Sequence, residues 1–207
     1  MNFKDTIGVF PNAFTLKECN EIKSLFDGKI DSKQAISGYS SSGQDTKKKK
    51  STDYNLYNDN SHEGITLRDK IINRFNDTLS DKYLSKYPHN SEFSHGSIVE
   101  GKCHYPALNL QKYEKNVGHY NAWHVEKDCF NVSSRVFVFI LYLNDVPKGG
   151  ETQFLFKEDG SKDYFSVKPE VGKMIIHPAS WPYIHRGAMP VSNDKYIATT
   201  WLQFGDW

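Results

Sequence analysis

The chain has 207 residues, 38% hydrophobic and 14% aromatic, so it is long enough to fold around a substantial core. Its formal net charge of +1 gives no overall attraction to nucleic acid or to an anionic membrane, and no apolar run reaches the roughly 20 residues of a transmembrane helix. The three cysteines lie far apart and the first residues lack the pattern of a secretory signal, which favours reduced thiols and a cytoplasmic location.

The first predicted element is an amphipathic helix at residues 14–27, FTLKECNEIKSLFD. Thr15 can cap its N-terminus, with Glu18 three residues later as the second half of a capping box. Apolar residues recur at helical spacing as far as Phe26, which gives the helix one face to bury.

Residues 28–62 are rich in Gly, Ser, Asn, Asp and Lys and show no sustained periodicity. This composition predicts a flexible loop. Four consecutive lysines at 47–50 are interpreted as its solvated tip or, as the alternative, as a contact for an anionic or acidic partner.

A second helix is predicted at residues 65–84, ITLRDKIINRFNDTLSDKYL, ending near Tyr87. Its apolar face carries Leu67, Ile71, Phe75 and Leu79. With the first helix and the loop, it is expected to make residues 1–95 a helical support for the rest of the domain.

From residue 96 onward, short stretches of β-branched and aromatic residues alternate with turn signals. They are predicted as strands at 106–114, 120–126, 135–145, 150–156, 165–169, 172–178 and 196–204. The apolar run of SRVFVFILYLN, residues 134–144, is typical of a strand buried on both faces. Because no helical pattern separates these strands, residues 96–207 are expected to form an antiparallel jelly roll, a double-stranded β-helix of the cupin type. The chain is thus expected to be one mainly β (α+β) domain, residues 1–207.

One predicted strand carries candidate metal ligands. His124 and Glu126 are two residues apart, so their side chains point to the same side of the strand. The pair alone is weak evidence, because a chain of this composition contains about one His-x-acid pair by chance. Taken alone, an exposed polar strand face is the simpler explanation. Asp128 has the same parity and is a second candidate carboxylate.

Two residues near the C-terminus strengthen the metal hypothesis. His185 precedes the last predicted strand, and in a jelly roll early and late strands are neighbours, so it can approach His124 and Glu126. Two histidines and one carboxylate are the ligands of non-haem Fe(II) oxygenases and leave three coordination positions open. Lys195 can point inward from the last strand, and a buried lysine calls for an anion, which a carboxylate co-substrate would supply.

Six segments of the C-terminal half resemble the iron- and 2-oxoglutarate-dependent dioxygenases of the prolyl 4-hydroxylase type. They run in order through roughly residues 108–204: LQKYE…GHYNAWHVE, SRVFVFILYLND, GGETQF, VKPEVGKMIIHP, HRGAMPV and KYIATTW. Each segment is unspecific alone, whereas six in this order and spacing are specific. PNAFTLKECNEI, near the N-terminus, resembles the family more loosely.

The resemblance implies a role for each matching residue. The family's His-x-Asp motif matches His124 and Glu126, and its distal histidine matches His185. Glutamate stands where the family usually has aspartate, which could weaken or shift the bound iron. Lys195 matches the lysine that pairs with the distal carboxylate of 2-oxoglutarate. The remaining matches are expected to contact or line the co-substrate pocket, although the aromatic ones could be ordinary core residues: Tyr113, Tyr142 and Thr152.

The implied reaction uses Fe(II), 2-oxoglutarate and O2, with ascorbate as a candidate reductant, and releases succinate and CO2. The resemblance favours hydroxylation of a prolyl or other residue in a peptide or protein over a small molecule. The alternatives are an oxygenase of a free amino acid, small molecule or nucleic acid, and a non-catalytic jelly-roll binding module. Neutral net charge disfavours nucleic acid, no membrane partner is expected, and the oligomeric state is open.

Overall fold

Two α-helices and fourteen β-strands form the part of the chain that the computed structural model describes, residues 2–4, 6–39, 43–87, 103–155 and 164–205. The helices are α1 (Leu16–Asp31) and α2 (His62–Thr78). Short helical turns are Leu56–Asn58 and Phe130–Val132 (both 3-10), Leu79–Tyr83 (π) and Leu84–Lys86 (3-10). Neither α-helix combines the length and the apolar character needed to cross a membrane.

The strands make two sheets. In chain order they are β1 (Asn2–Lys4), β2 (Ile7–Phe10), β3 (Ile36–Ser37), β4 (Lys49–Lys50), β5 (Thr52–Asn55), β6 (Cys103–His104), β7 (Leu108–Tyr113), β8 (His119–His124), β9 (Arg135–Tyr142), β10 (Thr152–Leu155), β11 (Tyr164–Val167), β12 (Met174–Pro178), β13 (His185–Gly187) and β14 (Lys195–Phe204). The larger sheet has the order β1-β2-β12-β9-β14-β7-β5-β3, with β6 beside β14, and the smaller has β11-β10-β13-β8-β4. All pairings among these strands are antiparallel, which confirms the predicted jelly-roll class.

The larger sheet separates two apolar cores. In β9, Val138 and Ile140 point into the space between the sheets, whereas Phe139 and Leu141 point to the helices. Alternate residues of a strand face opposite sides, so a strand between two cores must be apolar throughout. The predicted burial of both faces of this strand is confirmed.

The helices cover the outer face of the larger sheet. The predicted capping box of α1 is present, with the Glu18 amide donating to Thr15 Oγ1 at 3.2 Å and the Thr15 amide donating to Glu18 Oε2 at 2.8 Å. The predicted end of this helix at residue 27 was too early, because α1 continues to Asp31 and its last turn packs Ile30 against the core. In α2, the Phe75 ring stacks on Phe139 with centroids 5.2 Å apart.

The predicted loop at residues 28–62 was wrong over much of its length. It contains the end of α1, the strands β3, β4 and β5, and one 3-10 turn. β4 pairs with β8 and β5 pairs with β7, so this segment joins the edges of both sheets. Strands of two to four residues are too short to show the alternating pattern by which a strand is recognised.

The N-terminal part of the chain supplies strands as well as helices. β2 pairs with β12, and β5 pairs with β7, so residues 1–95 add strands to the larger sheet besides the two predicted helices. The predicted change at residues 95–96 lies outside the described residues.

Candidate metal and co-substrate site

A cavity of about 470 Å³ opens between the two sheets. Six of the seven predicted site residues line it, including the four that are predicted to bind the iron and the co-substrate carboxylate: His124, Glu126, His185 and Lys195. His124, His185 and Lys195 belong to β8, β13 and β14, and Glu126 lies shortly after β8. The four residues therefore come together only when the strands pair and the two sheets pack.

Strand pairing brings the two histidines next to each other. His185 in β13 is the register partner of His124 in β8, and the two ring centroids are 4.4 Å apart. Glu126 lies two residues after the end of β8 and is held by its amide, which donates to the carbonyl of Ala179 at 3.0 Å. Its Oε1 lies 3.5 Å from Nε2 of each histidine. One potential ligand atom from each of the three residues lies within 4.8 Å of the other two.

The imidazoles are oriented for metal binding. Nδ1 of His124 lies 2.8 Å from the carbonyl oxygen of Ala122, and Nδ1 of His185 lies 3.0 Å from that of Tyr183. A carbonyl oxygen only accepts, so each Nδ1 carries the proton and each Nε2 presents a lone pair to the cluster. Burial, and next the neighbouring His124, lower the pKa of His185, which keeps this imidazole in the neutral, metal-binding form.

The third ligand is a carboxylate. Burial acts to raise the pKa of Glu126, but the adjacent imidazoles of His124 and His185, which donate to this carboxylate whenever they are protonated, outweigh it, and the pKa lies well below its usual value. The alternative carboxylate, Asp128, is exposed and does not belong to the cluster.

Lys195 is a buried cation in the same cavity. It is the first residue of β14, opposite Tyr113 of β7, and is only 3% exposed. Among the described residues no carboxylate lies within ion-pair distance of its Nζ, which is 5.5 Å from the ring centroids of both Tyr113 and Tyr142. Burial lowers the pKa of Lys195 to about 8, against the opposing charge of Glu151. Such a cation is suited to bind an anionic ligand.

A glycine keeps the space beside Lys195 open. A Cβ on Gly187 would lie 4.0 Å from Lys195 Nζ and 3.5 Å from Cβ of Tyr120. Gly187 is two residues after His185 on the same strand, so it faces the same side as this histidine. The donor set, the orientation of the imidazoles and the open space beside a buried ammonium therefore fit a divalent iron ion and a dicarboxylate.

The other three predicted pocket residues form two hydrogen-bonded pairs. The Tyr113 hydroxyl donates to Gln111 Oε1 at 2.9 Å, and the Tyr142 hydroxyl donates to Thr152 Oγ1 at 2.6 Å. Tyr113 and Thr152 line the cavity, whereas Tyr142 lies behind Thr152. Contact of these residues with a co-substrate stays a prediction.

Arg135 was not predicted from the sequence as a site residue, although it contacts one of the three candidate metal ligands. Its Nη1 donates to Glu126 Oε2 at 3.1 Å and to the Glu126 carbonyl at 3.0 Å. Its guanidinium lies over the Trp201 ring, 3.9 Å from the centroid. The signal that could have revealed it is a cation at the start of the apolar strand RVFVFILY.

The interpretation of the lysine run as a solvated tip was wrong for one residue. Lys49 is 5% exposed, and its Nζ lies 2.6 Å from Asp53 Oδ2, which also accepts from Gln111 Nε2 at 3.1 Å. The other three lysines of 47–50 are exposed, as expected. Lys49 belongs to β4 and Asp53 to β5, so this buried ion pair connects the segments that join the two sheets.

The chain is similar to known oxygenases. A profile of the 2OG-Fe(II) oxygenase superfamily matches residues 108–203, from β7 into β14. Prolyl 4-hydroxylase 13 of Arabidopsis thaliana is 27% identical over 154 residues, which cover 60% of this chain and 56% of the relative. Probable prolyl 4-hydroxylase 9 of the same plant is 32% identical over 126 residues, 51% of this chain and 43% of the relative. The chain thus spans about half the length of these relatives.

A solved structure shows the same fold. The prolyl hydroxylase of Trichoplax adhaerens, in complex with a hypoxia inducible factor oxygen degradation domain peptide fragment, has a TM-score of 0.71 at 11% identity. The alignment covers 97% of this chain and 84% of that one. The predicted cofactors Fe(II), 2-oxoglutarate and O2 are those of the matched superfamily. Residues 108–203 match the 2OG-Fe(II) oxygenase superfamily, and the resemblance of the chain to prolyl 4-hydroxylases is confirmed.

Proposed function

We propose that this chain is an Fe(II)- and 2-oxoglutarate-dependent dioxygenase that hydroxylates a prolyl residue in a peptide or protein. The observation that carries the proposal is the meeting of His124, Glu126 and His185 with the buried Lys195 in one cavity. Three ligands leave three coordination positions for a chelating co-substrate and O2. A non-catalytic binding module gives no reason to keep there a buried ammonium that has no carboxylate at ion-pair distance among the described residues.

The residues of the chain bind and orient the reactants. His124, Glu126 and His185 would hold the iron, and Lys195 would donate a charge-assisted hydrogen bond to the far carboxylate of 2-oxoglutarate. When bound, the iron and 2-oxoglutarate would supply the oxidising chemistry, in which O2 converts 2-oxoglutarate to succinate and CO2 and one oxygen atom enters the substrate. The apolar side chains of Ile140 and Ile197 line the cavity and limit its water.

Carboxamides on the cavity wall support a peptide as the substrate. The side chains of Asn109, Asn131 and Gln203 line the cavity. Each offers both donors and an acceptor, which match the N–H and C=O groups of an extended backbone. The names of the related plant proteins and the peptide bound to the Trichoplax adhaerens enzyme point to the same substrate class. The use of ascorbate and a cytoplasmic location stay predictions from the sequence.

The test is a reaction of the iron-loaded protein with proline-containing peptides, labelled O2 and 2-oxoglutarate. We expect succinate and a peptide that carries one labelled oxygen atom on a prolyl residue, located by tandem mass spectrometry. His185→Ala is the control and should yield neither product. Succinate without oxygen transfer to any peptide, or hydroxylation of free amino acids instead, would overturn the assignment of the substrate.

A further inference from the structure

We propose that Arg135 is a positioning residue that keeps the Glu126 carboxylate bound to the metal through a single oxygen. The inference rests on the proposed function, because it concerns the same metal site. Arg135 donates to Glu126 Oε2, while Oε1 faces Nε2 of both His124 and His185 at 3.5 Å. The two carboxylate oxygens are therefore assigned to two different partners.

The longer side chain makes this division necessary. Glutamate has one more rotatable bond than aspartate, so its carboxylate can turn and present both oxygens to one ion. A bidentate glutamate would occupy one of the three positions that the co-substrate and O2 need. With Oε2 engaged by Arg135, Glu126 contributes one ligand, as an aspartate in this position would.

Arg135 is itself held in place. Its guanidinium stacks on Trp201, and its side chain is 16% exposed. β9 and β14 are hydrogen-bonded neighbours, with Arg135 opposite Gln203, so both partners of the stack stand on paired strands. The second hydrogen bond of Nη1, to the Glu126 carbonyl, joins the guanidinium to the backbone of the ligand as well as to its side chain. A lysine could supply the charge but neither the planar stack nor the fork of donors.

The test measures metal binding by the apo-protein without 2-oxoglutarate. Mn(II) affinity and the Co(II) ligand-field spectrum are recorded for the wild type, Arg135→Met, Arg135→Lys and Trp201→Leu. We expect Arg135→Met to weaken Mn(II) binding roughly ten- to hundredfold, the usual effect of losing a partner of a metal ligand, and to change the Co(II) coordination number. Trp201→Leu keeps the guanidinium and should give a smaller loss. Arg186→Met is the matched control. Arg186 lines the same cavity, and it too lies over a tryptophan ring, that of Trp123, but its Nε donates a hydrogen bond to Gln153 Oε1.

A double-mutant cycle with Glu126→Asp separates positioning from general stability. We expect the shorter aspartate to lose its contact with Arg135, so Arg135→Met should lower affinity less than about threefold in that background. An equal loss in both backgrounds, or an unchanged Co(II) spectrum in a folded Arg135→Met, would overturn the inference. If the folded wild type binds neither metal, the proposed function fails first, which is a distinguishable result.

Discussion

His124 and His185 lie opposite each other in the pairing of β8 with β13, with ring centroids 4.4 Å apart. The backbone hydrogen bonds of these strands set the relative position of the two ligands, so no loop has to close to form the site. The third ligand, Glu126, is tied to the loop after β12 by its amide. Ligands on rigid elements keep their geometry with little reorganisation when the metal binds.

Replacing Lys195 by methionine should separate co-substrate binding from folding. We expect Lys195→Met to weaken 2-oxoglutarate binding at least about a hundredfold, because the distal carboxylate loses a buried, charge-assisted hydrogen bond. The variant should be as stable as the wild type or more stable, because it removes a buried cation that has no anion at ion-pair distance among the described residues. Anaerobic titration and thermal unfolding measure the two effects.

Lys173→Met is the matched control for Lys195. Lys173 is also buried, but its Nζ pairs with Glu170 at 2.7 Å and donates to the Lys168 carbonyl at 3.1 Å. Its loss should leave 2-oxoglutarate affinity intact and lower stability. A Lys195→Met protein that binds 2-oxoglutarate as tightly as Lys173→Met would contradict the role of Lys195.

The affinity for 2-oxoglutarate should fall with rising pH. Burial lowers the pKa of Lys195 to about 8, below the roughly 10.4 of an exposed lysine. The folded protein loses this proton at lower pH than the unfolded chain, so this group lowers stability below about pH 8, and the free energy of unfolding rises between there and about pH 10.4. Binding needs the ammonium, so affinity should decline above about pH 8. A comparable decline in Lys195→Met would assign the effect to another group.

Filling the space at Gly187 should exclude the co-substrate and spare the metal. The methyl groups of Gly187→Val would extend from a Cβ that lies 4.0 Å from Lys195 Nζ, into the region where the carboxylate is expected. We expect 2-oxoglutarate affinity to fall while Mn(II) affinity stays within about threefold of the wild type. Gly28→Ala, whose new Cβ meets no atom within 4 Å, is the control. Equal losses of both ligands would mean that the strand itself is distorted.

The buried pair of Lys49 and Asp53 should be fragile when one partner is removed. Lys49→Met leaves an uncompensated carboxylate and should lower the free energy of unfolding by about 3 kcal/mol, measured by urea denaturation. Replacing both residues, with Lys49→Met and Asp53→Leu, should recover much of that loss, because no buried charge remains. If the double variant is less stable than the single one, the pair contributes more than the avoided desolvation penalty.

The features that the sequence predicted have local signals. An unbroken apolar run predicts strand β9. The metal ligands were predicted from the spacing of His124 and Glu126, which places both side chains on one side of a strand, together with the distant His185. The capping box at Thr15 needs only residues three apart. The capping box, the apolar strand and the His124–Glu126 pair each lie within a short stretch of sequence. The order of the six matching segments connects that pair to the distant His185.

The features that it missed depend on partners elsewhere in the chain. In the sequence, Lys49 is indistinguishable from the other three lysines of the run. It is buried because β4 pairs with β8 and because Asp53 lies beside it. In the sequence, Arg135 indicates only the start of a strand. Its contacts with Glu126 and Trp201 exist only in the folded chain. The tertiary environment of a charged side chain decides its role, and a single sequence does not state that environment.

The most direct test of the site is an anaerobic titration of Fe(II) and 2-oxoglutarate into the apo-protein, followed by the visible metal-to-ligand charge-transfer absorption. We expect the band to form in the wild type, to require both additions and to be absent in folded His185→Ala. A folded wild-type protein that takes up no iron, or binds it without developing the band when 2-oxoglutarate is added, would contradict the assignment of His124, Glu126, His185 and Lys195 to one co-substrate site.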